Sequence, residues 1–194
     1  QKYLPEQLES SKGLNMASGD TLFILTPQAY TPPASNYATL DTVADASTPN
    51  MSIPVLDFDG SADESADWYV TVPSHYAGGG FTFSYTYAMS STSGSHTAIE
   101  IEFRIFTFAD ASSILTADLR IDDPPSLTNV ISLADDPSAN ANEFNITSST
   151  AAISHSNAGS PAVGAFMIIR ATRDHDHTSN TNDLQLLAVH VKET

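Results

Sequence analysis

Phe81-Thr82-Phe83-Ser84-Tyr85-Thr86-Tyr87-Ala88-Met89 places a large apolar side chain at every second position, with small residues between. Successive side chains of a strand point to opposite faces, so this alternation predicts a strand with one buried and one wet face. The same pattern returns beyond the Ser/Thr/Gly-rich turn at residues 90–95. There Ile99, Ile101, Phe103 and Ile105 alternate with Glu100, Glu102 and Arg104. Together the two segments read as a long antiparallel pair at the centre of a β-sandwich. Just upstream, Val55-Leu56-Asp57-Phe58-Asp59 runs into a polar turn, Gly60-Ser61-Ala62-Asp63, and Trp68-Tyr69-Val70-Thr71-Val72 is stopped by Pro73.

Working outward, short strands are predicted at residues 21–25, 37–43 and 51–58. Pro54, which cannot donate to a ladder, points to an edge or a bulge in the last of these. Further strands fall at 114–121, 130–133, from 144 toward 153, 165–172 and 184–191. The last two are apolar on both faces in places, as in strands covered on each side. Nine or ten strands, with no helix longer than a turn or two, define an all-β fold. We expect a two-sheet antiparallel β-sandwich, jelly-roll-like in order, over residues 21–194. Residues 1–20, interrupted by Gly13 and Gly19, read as an N-terminal arm whose Leu4, Leu8 and Leu14 would contact a neighbour.

The chain has 194 residues, 41% of them hydrophobic, which is enough for a real core. Acidic residues outnumber basic ones 23 to 7, a formal net charge of −16. Such a charge repels nucleic-acid backbones and anionic membranes, so neither is expected as a partner. With no cysteine, disulfides and thiolate metal sites are excluded. No apolar run approaches the roughly 18 residues that a membrane-spanning helix needs.

Two clusters have metal-like composition. Asp57, Asp59, Asp63 and Glu64 lie within eight residues, as oxygen ligands of a hard cation could. Their spacing does not fit an EF-hand loop, and hydrogen bonds to turn amides are the simpler role. Asp174-His175-Asp176-His177 could supply zinc or nickel ligands, yet consecutive residues of an extended loop point in different directions. No metal, cofactor or catalytic residue is therefore assigned. His75, His96, His155 and His190 have no nucleophile pattern around them, and His190 reads as a packed side chain beside Leu184, Leu186 and Ala188. Gly78-Gly79-Gly80 is read as a flexible turn. Trp68, Tyr69, Tyr76, Tyr85 and Tyr87 could line a sugar-binding groove, although their alternation with small residues favours the core. Arg104, Arg120, Arg170 and Arg173 lie in or beside strands, where cross-strand pairing with Glu100 and Glu102 is expected for some.

Several local patterns recur in order: Leu40-Asp41, Pro54-Val55-Leu56-Asp57-Phe58-Asp59 with Asp63-Glu64, and Pro73-Ser74-His75-Tyr76-Ala77-Gly78-Gly79. Ser91-Thr92-Ser93-Gly94, residues 99–103, Arg170-Ala171-Thr172-Arg173-Asp174 and residues 183–191 follow. This succession resembles a family of small tailed-phage virion proteins. The resemblance implies a non-enzymatic β-sandwich on the particle surface, binding the capsid as a decoration or cement oligomer, most simply a homotrimer. The alternative it leaves is a carbohydrate- or receptor-binding module of a tail fibre or secreted protein.

Overall fold

Alternating hydrophobicity becomes ten strands in the computed structural model, which describes residues 19–44, 51–91, 98–108, 129–176 and 180–194. In chain order they are β1 (Thr21–Leu25), β2 (Thr39–Ala44), β3 (Ser52–Phe58), β4 (Glu64–Thr71) and β5 (Phe81–Met89). Then come β6 (Ile99–Thr107), β7 (Val130–Asp135), β8 (Asn145–Ile146), β9 (Phe166–Arg173) and β10 (Leu184–Glu193). The expected strand at residues 114–121 lies outside the described residues, as do the arm's first 18 residues. Gly19 and Asp20 are hydrogen-bonded to Glu193 alongside β10. Among the described residues no helix is long and apolar enough to cross a membrane.

One sheet runs β2-β3-β10-β5-β8, with β1 also paired to β10, and the other runs β4-β9-β6-β7. All the named strand pairings are antiparallel. From β3 onward the partners nest: β3 with β10, β4 with β9, β5 with β8 and β6 with β7. That is one long hairpin rolled up so that successive pairs fall in opposite sheets, the jelly-roll order. The fold is thus an all-β, two-sheet antiparallel sandwich, with β2 added at the edge beside β3 and β1 paired to the end of β10.

The roll corrects the reading of β5 and β6 as a paired hairpin. β5 lies between β10 and β8, while β6 lies between β9 and β7 in the other sheet. Their alternation was real, but the apolar faces meet across the interior instead of side by side. Phe83 and Phe103 stack there at 4.6 Å between ring centroids and 3° between planes. Alternation reports which side chains are buried and carries no information on which neighbour receives the backbone bonds. Around this stack Leu56, Phe58, Phe81, Tyr85, Tyr87, Ile99, Ile101, Ile105 and Ile169 are fully buried, each contributing about 1.5–3 kcal/mol of apolar burial. The polar tips find partners: Tyr85 donates to the Leu133 carbonyl, Tyr87 to Asp135, and Trp68 Nε1 to the Thr26 carbonyl.

Three smaller expectations also change. The β10–β5 register slips between Leu186 and Ala188, so Leu184 and Leu186 face inward before the slip and Val189 and Val191 after it. This bulge turns His190 outward, where it is half-buried and not a core histidine. The strand expected from residue 144 to 153 is only Asn145–Ile146. Beyond it Thr147 and Thr150 take over, their hydroxyls accepting from the Tyr85 and Phe83 amides. In Gly78-Gly79-Gly80 the first residue is a turn glycine at φ +95° with open space around it, but the other two are close-contact positions. A Cβ on Gly79 would overlap the Thr194 carbonyl and one on Gly80 the Ile153 carbonyl, and Glu193 accepts from the Gly79 amide. Pro54 sits in β3 opposite Thr42, beyond the residues where β10 pairs with that strand, which explains its tolerance.

Candidate functional site

The outer face of the four-stranded sheet carries the side chains that β4, β9 and β6 turn away from the core. Register places them in rungs across the sheet. Ser65, Thr172 and Glu102 share one, Asp67, Arg170 and Arg104 the next, and Tyr69, Ile168 and Phe106 the third. Along the free edge of β4 the chain is strapped by two backbone bonds between Thr31 and Asp67 and by bonds joining Asn36 and Ala38 to Ser65. Between these straps Pro32 and Pro33 cannot join the ladder, so the segment bows outward. It forms a wall, and wall and sheet enclose a groove of about 690 Å³.

The floor of this groove is polar and internally paired. Arg170 gives two bonds to Asp67, Nε to Oδ1 at 2.6 Å and Nη2 to Oδ2 at 2.8 Å, with the residues 6% and 4% exposed. Such a planar, bidentate pair is geometrically rigid. Arg104 Nε donates to Glu102 two positions earlier on its own strand, and the Ser65 and Thr172 hydroxyls meet at 2.8 Å. At one end the floor gives way to rings. Tyr69 and Phe166 are 47% and 43% exposed and stack at 5.9 Å and 21°. Phe108 continues the row at 5.4 Å from Phe166, and Phe106 meets Phe108 edge-on at 5.1 Å. Past the row a second depression of about 580 Å³ opens between Phe108, Phe166 and the loop from Gly159 to Ala165.

Of the aromatic residues singled out from the sequence, Trp68, Tyr76, Tyr85 and Tyr87 belong to the core and Tyr69 to the groove. Phe166 and Phe108 were not singled out. Phe166 heads a nearly continuous apolar run whose periodicity hides which face it takes. The wall was visible only as a Pro-Pro loop. Of the arginines singled out, Arg170 pairs across strands but with Asp67, Arg104 meets Glu102 along its own strand, and Arg120 lies outside the described residues.

The acidic cluster near residue 57 is a structural knot around the turn from β3 to β4. Asp59 accepts from the Ser61 amide and hydroxyl, each at 2.7 Å, which holds its carboxyl below the usual range. Glu64 accepts from the Asp59 amide at 2.8 Å, and Asp183 from the Gly60 amide at 2.9 Å. Beneath them Arg173, wholly buried, donates to the carbonyls of Phe58 and Asn180. Desolvation, followed by the charges of Asp183, Asp41 and Glu64, pushes Asp57 up to about 6, partly offset by Arg173. Asp63 turns away to accept from the His175 amide and to meet its Nδ1 at 2.8 Å. Asp176 approaches the other ring nitrogen at 3.0 Å. These contacts, the Asp63 hydrogen bond foremost, raise the His175 pKa. His177 lies outside the described residues. Among the described residues no three His, Asp or Glu side chains are arranged to hold a metal ion.

Fold and site together define a jelly-roll sandwich with a walled groove on one sheet. No protein family and no curated protein sequence matches the chain. Solved structures similar to it include a cycloisomaltooligosaccharide glucanotransferase of Paenibacillus sp. complexed with cycloisomaltoheptaose, at 13% identity and TM-score 0.44. That match covers 91% of this chain and 18% of the enzyme. TmCBM61 in complex with β-1,4-galactotriose is similar at 9% identity and TM-score 0.37, over 85% of this chain and 87% of that one. An isomalto-dextranase of Arthrobacter globiformis complexed with panose is similar at 14% identity and TM-score 0.37, over 83% and 24%. The chain thus spans less than a quarter of the two enzymes.

Proposed function

We propose that this protein is a non-enzymatic carbohydrate-binding module whose site is the groove on the outer face of β4, β9 and β6. The observation that carries the reading is the juxtaposition of half-exposed, roughly parallel rings at Tyr69 and Phe166 with the fixed Asp67–Arg170 pair on one floor. Pyranose rings have flat apolar faces that stack on aromatic rings, and equatorial hydroxyls that suit planar carboxylate and guanidinium groups. Concave sites with an apolar platform and a few fixed polar groups are how small ligands are held. Catalysis is left out because both Asp67 oxygens are committed to Arg170 and Asp63 is engaged by His175, so neither is set up as a general acid. Affinity electrophoresis of the whole chain against a panel of soluble polysaccharides tests the reading. Retardation should occur for at least one polysaccharide and be lost in Tyr69→Ala; no retardation by any of them counts against it.

Where such a module is carried is a separate proposal, resting on the sequence resemblance to tailed-phage virion proteins. On that reading the domain sits on the particle surface as an oligomer, most simply a trimer, held to the capsid by the N-terminal arm. Deleting residues 1–18 should then abolish particle association and leave the melting temperature unchanged. Undiminished association would remove the arm from the account.

A further inference from the structure

We infer that the ligand of this groove is an uncharged oligosaccharide, not a glycan bearing uronate, sialate or sulfate groups; the inference rests on the carbohydrate reading above. Both described cations that line the groove are already neutralised. Arg170 is held by both oxygens of Asp67, and Arg104 by Glu102. At the rim Asp63 is paired with His175, and the chain as a whole carries −16. An anionic sugar group reaching Arg170 would have to displace Asp67, a carboxylate only 4% exposed, and leave it buried without its counter-charge. It would approach through a repulsive field as well. A neutral hydroxyl meets neither obstacle. It can donate to a second lone pair on an Asp67 oxygen while the ion pair stays closed, and its ring can lie against Tyr69 and Phe166.

Calorimetric titration of the whole protein with two matched sets separates the outcomes: galactan, mannan and dextran against polygalacturonate, alginate and heparin. Each is run at about 50 mM and about 500 mM NaCl, a range over which exposed charge interactions are progressively screened. The expected result is binding confined to the neutral set, with dissociation constants that agree within about twofold between the two salts. An acidic glycan bound about tenfold more tightly than any neutral one, and weakened by salt, overturns the inference while leaving the carbohydrate reading intact. Absence of heat with every member of both sets overturns both.

Discussion

Arg170 and Arg173 stand three residues apart on β9, and the strand's alternation sends them to opposite faces of the same sheet. Arg170 faces out, where its guanidinium is locked to Asp67 beneath an open groove. Arg173 faces in, gathering two carbonyls and lying under Asp57, Asp59, Glu64 and Asp183. Both are buried arginines with acidic company, but it is Arg170 that lines the groove. Where a buried arginine is sealed by its own chain, as Arg173 is through the Phe58 and Asn180 carbonyls, it holds loops together. Where an arginine is locked in an ion pair on the floor of a groove, as Arg170 is, it stiffens the surface that the proposed ligand would meet.

Three perturbations sharpen that contrast. Arg173→Leu should have the largest effect. It leaves two buried carbonyls and an acidic cluster without their cation, at a cost of about 3–5 kcal/mol, read as a shift in the denaturation midpoint. A change under about 1 kcal/mol would mean that the knot does not depend on the arginine. Tyr69→Ala should act the other way round. Glycan affinity should fall about tenfold or more, roughly 1.4 kcal/mol, while stability changes by less than about 1 kcal/mol because the ring is half exposed. Equal losses of binding and stability would make Tyr69 a packing residue.

The third perturbation concerns pH. Burial raises the Asp57 pKa from 3.8 to about 6, so between those values the folded state binds the proton more tightly than the unfolded one. That contribution favours folding at low pH and is lost as pH rises through about 6. Glu64, also raised by desolvation, acts with the same sign. Asp57→Asn should therefore flatten the decline between pH 4 and 6 and make the protein more stable than the parent at neutral pH. Denaturant titrations of both proteins across that range check it. A variant less stable than the parent at neutral pH would show that Asp57 works there as a needed anion.

The sequence made the layers legible and left the groove nearly invisible, for physical reasons. Period-two alternation in β5 and β6 identified the buried faces because side-chain direction is a local property. Strand partnership is not local, so the same residues could not reveal that β5 pairs with β10 and β6 with β9. The bulge at Leu187 escaped for a related reason: one extra residue reverses the phase of His190, and the apolar run around it shows no break. Asp59 was read as a turn residue because the polar turn Gly60-Ser61 follows it in sequence. The Asp67–Arg170 pair joins residues far apart in the chain, and Phe166 could be placed outside only once β9 had neighbours. Pro32-Pro33 announced a loop, but only the straps at Thr31 and Asn36 make it a wall.

On the carbohydrate reading it is the outer face of β4, β9 and β6 that meets the ligand. Backbone and aromatic chemical-shift mapping of the labelled protein, titrated with the neutral glycan that it retains best, measures this directly. The account expects the largest shifts at Ser65, Tyr69, Arg104, Phe166 and Thr172, with Thr82, Ser84 and His190 on the other sheet's outer face unmoved. Shifts concentrated on that second group, with Tyr69 and Phe166 silent, would contradict it.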